Sequence, residues 1–130
     1  MLSFTSSLSP DSQALVIFVG EKYDYKDKRN LFSKDTIQRI NSFLSVLRKG
    51  KKEEDISFFD ISEKKKCFVI KVKNKIEGFW PQENGGNFFS TLKKFKYIKK
   101  VDLYIETLDI DKDKSVSFFS QFIFGINLSS

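Results

Sequence analysis

Four consecutive apolar residues, Cys67-Phe68-Val69-Ile70, constrain this chain more than any other stretch. In an extended strand, neighbouring side chains point to opposite faces of a sheet. A run with no polar alternate therefore needs cover on both faces, which places Cys67-Phe68-Val69-Ile70-Lys71-Val72 in the interior of a sheet between two layers of helix. A second run of the same kind, Ala14-Leu15-Val16-Ile17-Phe18-Val19, ends at Gly20. Helical patterns at 36–49, 84–95 and 115–128 supply the cover.

The rest of the chain fits between these runs. The Ser-rich residues 1–13, with Pro10, read as a partly ordered leader, and residues 14–130 as one domain. Residues 21–34 mix charged and aromatic side chains without a period and read as a loop. Asp35 with Gln38 has the spacing of a capping box, and Ile37, Ile40, Leu44 and Leu47 mark one helical face. Arg48 and Lys49 suit the negative end of that helix, and Gly50 closes it. After the polar connection 51–54, residues 55–60 read as a half-buried strand, residues 61–66 as a turn, and the apolar run as its antiparallel neighbour. Polar residues at 71, 73 and 75 mark the exit from the sheet.

Trp80-Pro81-Gln82-Glu83 opens a second helix with Phe88, Phe89, Leu92 and Phe95 on its apolar face. Gly85 and Gly86 in its first turns imply either close approach to the sheet or a helix that begins at Asn87. Val101-Asp102-Leu103-Tyr104-Ile105-Glu106 alternates like a strand with one wet face. Val116, Phe119, Ile123 and Ile126, joined by Phe122, mark a last helix. The order strand, helix, strand, strand, helix, strand, helix predicts an α/β three-layer sandwich with a mixed, mostly parallel sheet and helices on both faces.

Composition narrows the chemistry. The 130 residues contain no histidine and one cysteine, which removes the commonest general base, the commonest metal ligand and the thiol–imidazole dyad together. One cysteine also excludes an internal disulfide and suits a reducing, cytoplasmic setting. No long apolar span and no basic leader point to a membrane or a secretory route. The net charge of +6 rests on Lys, with only Arg29, Arg39 and Arg48 to offer bidentate contacts, so nucleic-acid binding is expected to be weak at most. The basic clusters are Lys64-Lys65-Lys66, then Lys71, Lys73 and Lys75, which would share one side of an extended segment, then 93–100.

Few motifs remain. Gly85-Gly86 at a helix start offers free N–H groups to an anion. Asp109, Asp111 and Asp113 alternate as in a calcium loop but lack its glycine and terminal glutamate, so they read as a solvated cap on the last helix. Cys67 reads as a buried, inert thiol, and Trp80 beside Phe79 as a core plug rather than a base-stacking platform. The expected tally is no catalytic, no cofactor-binding and no metal-binding residue in the chain.

The segment Phe118-Phe119-Ser120-Gln121-Phe122-Ile123-Phe124-Gly125-Ile126-Asn127-Leu128-Ser129-Ser130 resembles the end of the N-terminal domain of the M17 leucyl aminopeptidases (cytosol aminopeptidases). In that family an apolar helix with Gly before its last turn runs into a Ser-Tyr-x-Phe-Asp-x-Tyr-Lys linker, which would begin where this chain stops. The early strand ending at Gly20, the helix ending at Gly50 and Glu83-Asn84-Gly85-Gly86-Asn87-Phe88 fall in the family's order over residues 13–130. The chain departs from it at Lys71-Val72-Lys73-Asn74, where the family has a Gly-Leu-Gly-type turn. The metal-binding run Asn-Thr-Asp-Ala-Glu-Gly-Arg does not occur, so no catalytic residue carries over.

The resemblance implies a macro-domain-like fold and a non-catalytic role in oligomer assembly and in shaping access to an active site. Its implied partners are a C-terminal catalytic domain holding two divalent metals (Mn or Zn), homohexamer neighbours and peptide substrates of the parent metalloexopeptidase. The alternatives are a free-standing nucleotide or ADP-ribose binder, its ligand near Lys73 to Gly86, or a weak nucleic-acid-binding module.

Overall fold

The computed structural model describes residues 2–5, 10–28, 30–50, 54–75 and 78–130. Residues 6–9 of the leader, Arg29 and residues 51–53 of the polar connection lie outside the described residues.

Among the described residues, five strands and three helices form the expected three-layer α/β sandwich. The strands are β1 (Ser3–Thr5), β2 (Ala14–Val19), β3 (Ile56–Ser62), β4 (Lys65–Lys71) and β5 (Lys100–Tyr104), in the spatial order β1-β5-β2-β4-β3. All neighbours pair in parallel except β3 and β4, the expected hairpin. The helices are α1 (Lys34–Lys49), α2 (Trp80–Leu92) and α3 (Lys112–Ser129). Among the described residues no helix is long and apolar enough to cross a membrane.

Both apolar runs lie inside the sheet, as their composition requires. β2 pairs with β4 over six residues, from Ala14 opposite Lys66 to Val19 opposite Lys71, and every residue of β2 is buried. Ala14, Val16 and Phe18 join Phe68, Ile70 and Val72 beneath α2 and α3. Leu15, Ile17 and Val19 join Cys67 and Val69 beneath α1, which contributes Ile40 and Leu44. Phe18 stands at the centre of the larger layer. Its ring meets Phe118, Phe119 and Phe122 edge-on, with centroids 6.2, 4.7 and 5.4 Å away.

Several local expectations shift. The N-cap of α1 is Ser33, whose Oγ accepts from the Thr36 N–H at 3.1 Å, with Asp35 inside the first turn. A hydroxyl two residues upstream therefore takes the capping role expected of Asp35 and Gln38. The hairpin turn tightens to Glu63 and Lys64 because both strands extend toward it. Ser3–Thr5 of the leader pairs along β5, an edge strand too short to show a period in sequence.

β5 has no wet face. Asp102 is fully buried, and the chain beyond Tyr104 turns into a 3₁₀ segment, Ile105–Thr107. The single helix α1 lies over β2 and β4, and the leader covers the flank of that face. Thr5 Oγ1 and Ser12 Oγ donate to the Asp102 carboxylate at 2.5 and 2.7 Å.

The helix faces differ too. α3 buries Phe118, Phe119, Phe122, Gly125 and Ile126, while Val116 and Ile123, assigned to the inner face from spacing, are exposed. The cause is the contact with α2. A Cβ built on Gly85 would collide with the Phe122 carbonyl, and one on Gly125 with the Gln82 carbonyl. Two glycines, one from each helix, thus let the backbones touch, and the face of α3 turns to place Gly125 at the crossing. The close approach behind Gly85 is to α3, not to the sheet.

Gly85→Ala or Gly125→Ala should therefore destabilise the fold by about 1–3 kcal/mol, the range for overpacking. Gly50→Ala should be near neutral, since its nearest atoms are ordinary contacts at 3.5 and 3.6 Å and its φ is −73°. Urea denaturation of the three variants checks the contrast. Equal midpoints would refute the crossing as the reason for these glycines.

Candidate functional site

The parallel strands give the sheet two chemically distinct ends. Lys66 and Val101 both pair with Ala14, so β4 and β5 begin level with each other on either side of β2. The clusters at 64–66 and 93–100 accordingly meet at this end of the sheet. Lys71 pairs with Val19 at the far end of β4, five residues and about 17 Å away. Lys71 and Lys73 do not share a side either. Lys71 Nζ lies 5.1 Å from the Tyr23 ring on the α1 side, and Lys73 Nζ lies 5.2 Å from the Trp80 ring, which packs on the layer beneath α2 and α3.

At the lysine-rich end, two of the lysines are paired with carboxylates. Lys66 donates to Asp60 at 2.7 Å and sits 4.5 Å from the Phe95 ring and 5.1 Å from that of Phe58. Lys100 pairs with Asp11 at 3.0 Å and holds the Asp11 carboxyl below its usual range. A cleft of about 660 Å³ opens here between Asp11, Gln13, Glu63, Lys64 and Tyr97. The two described arginines are committed to backbone elsewhere. Arg39 donates to the Ile61 carbonyl, and Arg48 to the carbonyls of Lys22 and Tyr23.

The opposite end, beyond β2 and β4, holds a smaller cleft of about 310 Å³ lined by Glu21, Lys22, Tyr23, Leu47, Arg48, Gly50 and Lys71. The C-terminal turn of α1 forms one wall and the turn after β2 the other. Glu21 is held by the loop after β4, accepting from the Asn74 N–H at 2.8 Å and from Asn74 Nδ2 at 3.4 Å. No motif flagged this cleft. Tyr23 and Arg48 come from a loop and a helix end that only the fold brings together.

The remaining motif residues have structural work. Gly85 and Gly86 face α3, and the N–H groups of Gly85 and Gly86 lie within α2, which runs from Trp80. Asp111 caps α3 by accepting from the Asp113 N–H at 3.1 Å, and Asp109 pairs with Lys26 at 2.9 Å. Among the described residues no group of three or more Cys, Asp or Glu could hold a metal ion. Trp80 packs against the layer under α3 while Phe79 projects into solvent. Among the described residues, the buried Asn84 Oδ1 and Tyr104 hydroxyl have no hydrogen-bond partner.

Cys67 is wholly buried in the layer beneath α1, and that burial pushes its thiol well up from the ordinary value of 9.0. Burial, with the charges of Asp102 and Asp27 behind it, pushes the Tyr104 phenol up in the same way.

No protein-family model, no curated protein and no solved structure matches this chain.

Two predictions follow from the buried titratable groups. Native protein should not react with a disulfide reagent at pH 8, whereas denatured protein should react once per chain. Rapid labelling of the native state would refute an inert Cys67. The folded protein keeps the Cys67 proton at pH values where the unfolded chain loses it, so stability should decline once the pH passes about 9. The decline from this group approaches about 1.4 kcal/mol per pH unit. Cys67→Val should flatten that alkaline limb in urea titrations between pH 8 and 10.5, and an unchanged limb would exclude Cys67 as its source.

Proposed function

We propose that this chain is a non-catalytic interaction domain, and that its wider context is the N-terminal domain of an M17-type leucyl aminopeptidase. One observation carries the interaction role. The outward face of α3 bears Val116, Ile123, Phe124 and Leu128, which are 59, 43, 53 and 61 % exposed. From Ser115 to Ser130 there is no charged residue, in a chain that is 31 % charged. An uncharged apolar stripe on a solvent-facing helix is the composition of a surface awaiting another domain or subunit.

The narrower reading rests on the resemblance of residues 118–130 and on the order of the elements. In it, the domain helps build a cytoplasmic homohexamer and shapes access for peptides. The two divalent metals (Mn or Zn) and the removal of N-terminal residues belong to a C-terminal catalytic domain. The genomic reading frame after Ser130 tests this directly. A Tyr-x-Phe-Asp continuation followed by an Asp/Glu/Lys metal motif is expected, and a frame lacking both would refute it. The purified chain should also show no hydrolysis of leucine amide with manganese or zinc.

Convergence of the 64–66 and 93–100 lysines favours nucleic acid as a second reading. With Lys66 and Lys100 paired to carboxylates and both described arginines on backbone carbonyls, binding should be sequence-blind. A Kd of roughly 10⁻⁴ to 10⁻⁶ M is expected at physiological salt. Nanomolar, sequence-selective retention in a gel shift would overturn that expectation. The nucleotide alternative near Lys73 to Gly86 loses its glycines to the α2–α3 contact, and millimolar ADP-ribose should leave the amide signals of Gly85 and Gly86 unshifted.

A further inference from the structure

Lys71 ends the apolar strand β4 with its side chain on the α1 face, where it is 9 % exposed. Among the described residues no carboxylate or carbonyl accepts from its ammonium group, and its one close contact is the Tyr23 ring at 5.1 Å. A cation withdrawn from water without a counter-charge is unfavourable, and the tip of this one opens into the 310 Å³ cleft at the end of β2 and β4. Lys22 and Arg48 line the same cleft, against one carboxylate, Glu21, which Asn74 holds. The cleft thus carries three cations to one anion.

A second observation points to the same place. Tyr23 has φ +60°, in the left-handed region that a bulky side chain rarely adopts. The conformation is imposed by its neighbours. Tyr23 N–H donates to the Gly20 carbonyl at 2.9 Å, Gly20 N–H to the Asp24 carbonyl at 2.9 Å, and Arg48 Nη2 to the Tyr23 carbonyl at 2.9 Å. Backbone strain maintained by surrounding bonds is characteristic of preorganised binding walls. The cleft also lies beyond the C-terminal ends of two adjacent parallel strands, where open α/β sheets receive ligands.

We infer that this cleft is an oxyanion site, in which Lys71, with Arg48 and Lys22 beside it, receives the phosphoryl or carboxylate group of a small molecule. The Lys71 ammonium supplies the charge, and the left-handed turn at Tyr23 fixes the wall of the cleft before the ligand arrives. The site involves neither α3 nor the lysine-rich end, so it stands apart from the aminopeptidase reading.

Inorganic phosphate and acetate serve as probes, titrated separately into ¹⁵N-labelled protein at constant ionic strength. Amide shifts should saturate at low-millimolar probe, as suits a single charged group, and should centre on Lys22, Tyr23, Arg48, Gly50 and Lys71. Tighter saturation by phosphate assigns phosphoryl groups, and equal or tighter saturation by acetate assigns carboxylates. Lys71→Met should weaken the affinity at least tenfold, whereas Lys73→Met should leave it unchanged. Shifts that fail to saturate with either probe, or that spread evenly over the lysines of residues 64–100, overturn the site. So does a folded Lys71→Met protein that titrates like the parent. Should that variant not fold, the map on the unaltered chain decides alone.

Discussion

The pairing of β2 with β4 is the constraint on which the architecture depends. Twelve residues, six on each strand, run in parallel from Ala14 opposite Lys66 to Val19 opposite Lys71, and ten of them, all but Lys66 and Lys71, are apolar. Such a pair cannot present a face to water without losing the burial of several large side chains, each worth about 1.5–3 kcal/mol. Helices are therefore required on both sides, and parallel pairing requires crossovers long enough to contain them. α1 then covers Leu15, Ile17, Cys67 and Val69, while α2 and α3 share the side of Val16, Phe18, Phe68 and Ile70.

The two sides are solved differently. Beneath α1 the packing mixes aliphatic side chains with the rings of Tyr23, Phe32 and Tyr104, and the flank left open is filled by polar chain: the leader hydroxyls bonded to Asp102 and the turn carrying Tyr23. Beneath α2 and α3 it is dominated by phenylalanine. Phe18 meets three rings of α3, and Phe68 meets Phe88 of α2 edge-on at 5.5 Å. The glycines at 85 and 125 let the two helices close on each other, and α3 presents an uncharged stripe outward. The stripe is a by-product of the crossing as well as the basis of the interaction reading.

The lysines divide by function along the sheet. At the end where the parallel strands begin, Lys66 and Lys100 are paired with carboxylates, and Lys66 is also flanked by aromatic rings. At the other end Lys71 has an aromatic neighbour and no ion pair among the described residues. A chain with a net charge of +6 thus places a buried, unpaired cation in the smaller of these two end clefts, not in the larger, where most of the lysines lie.

The sequence by itself determined the class of fold, because alternation and its absence act residue by residue: the two apolar runs demanded interior strands, and the period of 37, 40, 44 and 47 demanded a helix. It determined equally that histidine and disulfide chemistry are absent. Tertiary structure alone decided which polar residues are buried and which apolar ones are not. Asp102 reads as a wet position until the leader folds over it, and Val116 and Ile123 read as core until Gly125 turns α3 toward α2. The cleft around Lys71 joins residues up to 50 positions apart through the end of a helix and a left-handed turn. No local pattern records such a site, since its chemistry arises from the position of one lysine relative to groups that the chain brings near only after the sheet has formed.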